Sequence, residues 1–426
     1  MHAELTRLRA PLRDLSVLLS GNVVRLGLGL LASALVYRGL GPSEAGRLAI
    51  ALGLVSLFSF LAEFGFRDSV VNYVASAASP EEAEAVARSF LLAKLVFGTL
   101  AAIALAGLAG WIVGVWYRGM VEPGLVRLAA LILLTGGLLN YVQTLLEARK
   151  RFAALSLITV AQGAVRAGAI VILFATGHVA VWPLIGLEVG LPLVLLIYGQ
   201  RFLPPELRPR LARAMASQLG RLWRFSRWIA VASAAATIYL SLDVVLLGHF
   251  RTAAEVGLYG AALALVAKFE VVQTAIFASA FPEACRYRSP HDLRAYVSRT
   301  LRLTGLVSVA MLLILPFAGI ALPALYGGNY VGAVAPFSIL LLSLVVGLNA
   351  APVSFVLYPL ERPSWVAAGN VLQLVFFMGL GLWLIPTRGA VGAALTALAT
   401  QLLGAVWIAG AVTWVLREPR RVLGAP

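Results

Sequence analysis

The sequence predicts an all-α polytopic membrane protein: about twelve transmembrane helices in two six-helix lobes related by a pseudo-two-fold axis. Three observations lead there. Of 426 residues, 61% are hydrophobic and only 12% are charged, whereas a soluble domain carries roughly 25% charged residues. That leaves too little polar surface to coat a globule in water, and the mean hydropathy of +0.91 agrees. Apolar runs of about 20 residues, long enough to cross roughly 30 Å of hydrocarbon, recur along the whole chain. The third observation is an internal similarity at a shift of 211 residues, close to half the length.

The runs fall near 15–40, 44–64, 87–113, 125–146, 154–176 and 180–199, then 228–250, 256–281, 303–323, 331–357, 364–385 and 390–416. This divides the chain into an N-terminal lobe over 1–200, a basic cytoplasmic connector over 201–227 and a C-terminal lobe over 228–426, with no room for an extramembrane domain. Arg7, Arg9 and Arg13 before the first run mimic a signal peptide, but that run is long and leads to Gly41-Pro42 rather than to a small-residue cleavage site. It is read as a retained first span.

Orientation follows from counting basic residues in alternate connections. The side that holds both termini has 23 Lys and Arg, and the opposite side has six: Arg38, Arg47, Arg118, Arg127, Arg251 and Arg388. Both termini are therefore expected in the cytoplasm, with anionic lipid as the partner of the basic loops. The net charge of +15 is mostly this orientation signal rather than a mark of nucleic-acid binding.

The repeat pairs Glu44 with Glu255, Gly46 with Gly257 and Gln162 with Gln373, while Asn140 and Asn349 stand 209 apart. An even number of spans separates the copies, so both halves enter the membrane in the same direction. Parallel repeats of this kind place a transport path between them. Enzyme chemistry finds little support. Cys285 is the lone cysteine, the four histidines are far apart, and neither a D-x-D motif nor a G-x-x-x-x-G-K-[ST] phosphate loop occurs. No metal and no cofactor is expected.

The stretch Tyr37-Arg38-Gly39-Leu40-Gly41-Pro42-Ser43-Glu44-Ala45-Gly46-Arg47-Leu48-Ala49, followed by Glu63-Phe64-Gly65-Phe66-Arg67, resembles the start of bacterial polysaccharide and O-antigen flippases. These belong to the multidrug, oligosaccharidyl-lipid and polysaccharide exporter superfamily. Arg38, Leu40, Gly41 and Gly46 match the turn between spans 1 and 2, and Phe64-Gly65 matches the close of span 2, with Glu63 where Asp is usual. The resemblance implies two lobes forming a V around a cavity that opens alternately to either side. It also implies flipping of an undecaprenyl-pyrophosphate-linked oligosaccharide from the cytoplasmic to the outer leaflet of a bacterial inner membrane, for cell-surface polysaccharide biosynthesis, alongside other polysaccharide-assembly proteins.

Ionisable residues inside the predicted spans are the candidates for function, because an unpaired charge at mid-bilayer costs at least about 2.5–3.5 kcal/mol. Asn22, Arg25, Gly29 and Ser33 share one face of span 1, and Thr159, Gln162 and Arg166 form a polar stripe on span 5. Two readings stand for the arginines: each pairs with a structural acid such as Glu188, or they line a cavity. In the second, Arg25 and Arg166, with Asn22 and Gln162, hold a pyrophosphate. Glu63 and Arg67 are read as i,i+4 partners with Asp68 adjacent; they form either a self-neutralising cluster at the interface or a headgroup site, with Arg67 helping at the cytoplasmic entrance. Lys94 lies seven or eight residues into its span, close enough to its end to snorkel, with substrate contact as the other reading. In the C-terminal half Asp243 and Glu270 face a single base, Lys268. Buried carboxylates can carry protons, so proton or sodium coupling at these three is one reading and a structural pair the other.

Two other functions share this architecture in part. A cation-coupled multidrug exporter of the same superfamily would use membrane acids against organic cations, which Arg25 and Arg166 oppose. A membrane-embedded polysaccharide polymerase or ligase would carry a sizeable outer loop, and the outer connections here are short.

Overall fold

The computed structural model describes residues 2–63, 65–208, 218–287, 289–360, 362 and 364–417. For residues 2–23, 25, 206, 225, 228, 229, 231, 232, 278, 290 and 417 it describes the backbone alone. Among the described residues there are twelve α-helices: α1 (His2–Glu63), α2 (Phe66–Ala75), α3 (Pro80–Trp111), α4 (Pro123–Ala148), α5 (Phe152–Ala175), α6 (Val181–Gly199), α7 (Leu219–Phe250), α8 (Ala253–Ala284), α9 (Pro290–Leu312), α10 (Ala318–Tyr326), α11 (Val334–Ser354) and α12 (Ser364–Arg417). No strand occurs among the described residues.

Ten helical stretches among the described residues are long and apolar enough to cross a membrane. The two longest in α1 and α12, with 38 and 53 residues, would measure about 57 and 80 Å if straight, well beyond one hydrocarbon thickness. Each is broken by a glycine in the left-handed region, Gly41 at φ 70° and Gly389 at φ 57°. Each therefore holds two of the predicted crossings. Another left-handed glycine, Gly177 at φ 70°, turns the chain between α5 and α6, at the place in the first repeat that Gly389 holds in the second.

Helix starts are set by local chemistry. Ser79 caps α3 by accepting from the Glu82 N–H, with Pro80 at the first position, and Thr252 caps α8 by accepting from the Glu255 N–H. Gly65, at φ 62°, ends α1 and starts α2. It therefore breaks the helix between Glu63 and Arg67, and their expected i,i+4 pairing fails because no continuous helix joins them. Phe64 lies outside the described residues.

The chain forms two compact units. One holds the described residues up to Leu40 together with Arg47–Thr237; the other holds Gly41–Gly46 and the residues from Ile238 onward. The first unit is built on Phe66, Phe90, Tyr141, Val142 and Leu145. Leu203, Leu207 and Leu222, from the stretch read as a connector, are buried in the same cluster, and the Tyr141 hydroxyl donates to the Leu207 carbonyl at 2.9 Å. Arg221 bonds Glu82 at 2.9 Å and stacks 4.2 Å from the Tyr73 ring. The second unit packs Tyr296, Leu293, Leu357, Val412 and Val415. Large apolar side chains such as Ile172, Ile320 and Val406 stay exposed, as a lipid solvent demands.

Gly46 and Gly257, partners in the repeat, meet within the second unit. A Cβ on Gly46 would fall on the Ala253 carbonyl, and one on Gly257 would fall on the Pro42 carbonyl. The two helix starts approach main chain to main chain, so neither position tolerates a methyl group. Gly46→Ala and Gly257→Ala are each expected to lower the thermal unfolding midpoint of the purified protein, at a cost of about 1–3 kcal/mol from overpacking. Gly27→Ala, where nothing stands within 4 Å, serves as the neutral control.

Candidate functional site

In the first unit the polar face of α5 is the feature that stands out. Arg166 lies about 21 Å from the start of α5 and about 13 Å from its end. Its side chain is 49% exposed, and its guanidinium donates to the Glu188 carboxylate of α6 at 2.6 Å. The pairing with Glu188 is thus present, and Arg166 remains half-exposed beside it. Gln162 lies one turn away on the same face, and Thr159 returns its hydroxyl to the Leu155 carbonyl at 2.8 Å. Exposed apolar residues such as Val165 and Ile172 lie on other sides of the helix. Packing brings α1 to this helix, because Ala32 clusters with Ala167 and Ile170. The side chains of Asn22 and Arg25, about three and two turns earlier on α1, lie outside the described residues.

Arg67 is held by Glu147 of α4 at 2.7 Å, with Asp68 at 3.7 Å, and it is 54% exposed. Lys94 does not snorkel. It is 3% exposed, with its ammonium 5.4 Å from the Phe90 ring centroid. The tight packing of α3 on α4 leaves its stem no outward path, and among the described residues no carboxylate reaches it. A cation over an aromatic face keeps part of its stabilisation after losing water.

The second unit contains a band of uncharged polar groups and one buried acid. Asp243, on α7, is 7% exposed. One of its oxygens accepts from the Tyr259 hydroxyl of α8 at 2.6 Å, and the other accepts from the Val244 N–H at 2.7 Å. Tyr239, one turn before Asp243, donates instead to Gln401 Oε1 at 3.3 Å. Gln373 Nε2 donates to the same oxygen at 3.3 Å and to the Thr400 carbonyl at 3.2 Å. Glu270 and Lys268 lie on α8, Glu270 one turn before Gln273. Glu270 is exposed, and its backbone carbonyl accepts the Thr274 hydroxyl at 2.9 Å.

Beside these groups a small cavity of about 160 Å³ is lined by Gln273, Asn370, Gln373 and Gln401. Three glycines make the room. A Cβ on Gly347 would strike the Gln401 amide, one on Gly404 the Gln373 amide, and one on Gly369 the Trp407 ring. Gln373 stood out in the sequence as a partner in the repeat, but Asn370 and Gln401 did not, since single amides in apolar runs carry no spacing signal. A second polar knot ties α9 to α11: Asn349 accepts from Thr304 at 2.8 Å and donates to Ser308 at 2.9 Å.

A family model described as "Polysaccharide biosynthesis protein" matches residues 35–335. The chain belongs to that family. Among curated proteins of Haloferax volcanii, the "Probable low-salt glycan biosynthesis flippase Agl15" is 24% identical over 383 residues, covering 88% of this chain and 77% of that protein. The "Probable flippase AglR" is 29% identical over 174 residues, 39% of this chain and little more than a third, 37%, of that protein. Among solved structures, the lipid II flippase MurJ in an inward closed conformation superposes with a TM-score of 0.72 at 13% identity, over 93% of this chain and 87% of that one. An inward-facing multidrug resistance MATE family transporter gives 0.67 at 14% identity, over 95% and 100%. This member of the polysaccharide biosynthesis family therefore has a MATE-like fold and falls among transporters rather than enzymes.

The Asp243–Tyr259 contact fixes α7 against α8 in the second unit. Tyr259→Phe leaves a buried carboxylate short of one donor, and about 1.5–3 kcal/mol of stability should go with it. Thermal unfolding in detergent reads this loss. Asp243→Asn, which still offers an acceptor to Tyr259, is expected to cost less.

Proposed function

We propose that this protein flips an undecaprenyl-pyrophosphate-linked oligosaccharide from the cytoplasmic to the outer leaflet by alternating access, supplying cell-surface polysaccharide assembly. The observation that carries the reading is the half-exposed Arg166 at mid-membrane depth in a chain of the polysaccharide biosynthesis family. A sugar pyrophosphate cannot cross hydrocarbon unaided, since moving an ion into low dielectric has an idealised cost of order 20 kcal/mol. A hydrated face that offers guanidinium groups lowers that barrier through charge-assisted hydrogen bonds. Arg166 and Arg25, with Gln162 and Asn22, take the pyrophosphate in this scheme. Arg67 attracts the headgroup at the cytoplasmic entrance, and Lys94 adds positive potential behind the site. The excess of basic residues on the side of both termini supports a bacterial inner-membrane protein with cytoplasmic ends.

The neutral amides Gln273, Asn370, Gln373 and Gln401 suit hydroxyl groups, which need donors and acceptors but no charge. Asp243, with Glu270 and Lys268, is the candidate for proton or sodium coupling, and no other cofactor is required. A cation-binding drug exporter remains disfavoured by the exposed guanidinium.

Flipping of lipid-linked oligosaccharide in reconstituted vesicles tests the site. Arg166→Ala should slow flipping at least about tenfold, the scale of one charge-assisted contact. The paired variant Arg166→Ala/Glu188→Ala, which leaves no unmatched acid, should stay slow; recovery of flipping in it would reduce Arg166 to a structural role. With imposed proton or sodium gradients, Asp243→Asn and Glu270→Gln should lose the gradient response, and an unchanged response removes those acids from coupling.

A further inference from the structure

A groove in the second unit, bounded by α9, α11 and the second half of α12, is used by none of the chemistry above. Its wider part has a volume of about 750 Å³ and is flanked by Arg294, Ser298 and Arg302 of α9 and by Thr413 of α12. A narrower continuation of about 390 Å³ shares Leu301, Val353 and Ala409 with it and runs on to Val345 and Ala405. Charged and hydroxyl groups gather at one end, and apart from Asn349, which is tied to Thr304 and Ser308, the rest is apolar.

The charged end is open to a ligand. Arg294, Ser298 and Arg302 repeat every four residues on one stripe of α9. Arg294 uses one N–H on the Leu416 carbonyl at 3.1 Å, and Arg302 uses one on the Ser298 carbonyl at 3.3 Å. A guanidinium carries five N–H donors, so most remain unspent. Among the described residues no carboxylate pairs with either arginine. The nearby acids are engaged elsewhere, Glu283 with Arg299 and Asp292 beside His291. Among the described residues the groove therefore offers positive charge without an acidic partner.

Its length is equally telling. From Leu416 to Ala405 the α12 wall rises about 16 Å, half of a hydrocarbon core of about 30 Å. That matches the depth of one leaflet, and it is far short of a long polyprenyl chain.

We propose that this groove binds an anionic phospholipid of the leaflet in which α9 begins, with the lipid phosphate on Arg294 and Arg302 and an acyl chain along Leu301, Val353 and Ala409. Basic pockets between helices on the cytoplasmic side are suited to such headgroups. Its narrow end shares Ala350, Ala405 and Ile408 with the amide-lined cavity, but its charged end includes none of the residues placed in the flipping scheme.

Native mass spectrometry of the full-length protein, titrated with dioleoyl phosphatidylglycerol or dioleoyl phosphatidylcholine, tests the proposal. Phosphatidylglycerol should bind at least about tenfold more tightly, the scale of two arginines at a charged headgroup. Arg302→Gln should remove most of that preference. Among the described residues Arg302 bonds only within its own helix, so this variant keeps the fold even if Arg294→Gln loosens the end of α12. Ala409→Trp, which fills the groove and leaves both arginines, should weaken phosphatidylglycerol binding as well. Equal binding of the two lipids, or an Arg302→Gln protein that still prefers phosphatidylglycerol, overturns the proposal. Stronger binding of undecaprenyl phosphate than of phosphatidylglycerol overturns it too and assigns the groove to the transported lipid. Flipping assays play no part in these outcomes, so failure here leaves the functional reading standing, and the reverse also holds.

Discussion

A charge placed in hydrocarbon has to find a partner, a hydrated surface or an aromatic face, and the interior chemistry of this protein is a set of answers to that demand. Arg166 answers with Glu188 and with exposure. Arg67 takes Glu147. Lys94 leans over Phe90, and Asp243 collects one hydroxyl and one backbone N–H. The backbone meets the same demand by staying helical between its glycine breaks, since hydrocarbon offers no other partner for its polar groups.

The two units solve the problem with different chemistry. In the first, Arg166 and Arg67 pair with acids yet stay half-exposed, while Lys94 lies buried against an aromatic ring. In the second, Asp243 is sealed between α7 and α8, and the small cavity beside it is lined by neutral amides.

The helical plan was legible in the residues because it depends on run length and on breakers. Gly41-Pro42 and the Thr387-Arg388-Gly389 turn mark where a long helix must fold back, and glycine alone enters the left-handed region there without strain. The shared Gly46 and Gly257 were visible as identities. Their physical reason, a main-chain contact, appears only once both turns are placed. Side-chain partnerships were harder to read. Glu63 and Arg67 have the spacing of a pair, yet Gly65 cuts the helix between them. Lys94 has the sequence position of a snorkelling residue, but the packing of α3 on α4 decides otherwise. Glu188 was named as a candidate partner of Arg166 because few acids lie at membrane depth. Gln401 and Asn370 gave no signal, since their role depends on three glycines scattered over α11 and α12.

The meeting of Gly46 and Gly257 also sets a timetable for synthesis. The two positions are 257 − 46 = 211 residues apart, and a ribosome adding about 5–20 residues per second needs some 10–40 s to span them. For that interval the turn after the first crossing has its opening made but its occupant not yet translated. Six further crossings enter the bilayer before the contact can close. The bare main chain at Gly46 is thus a docking place held vacant through half of biogenesis, and its closure marks the moment at which the second repeat has begun to form.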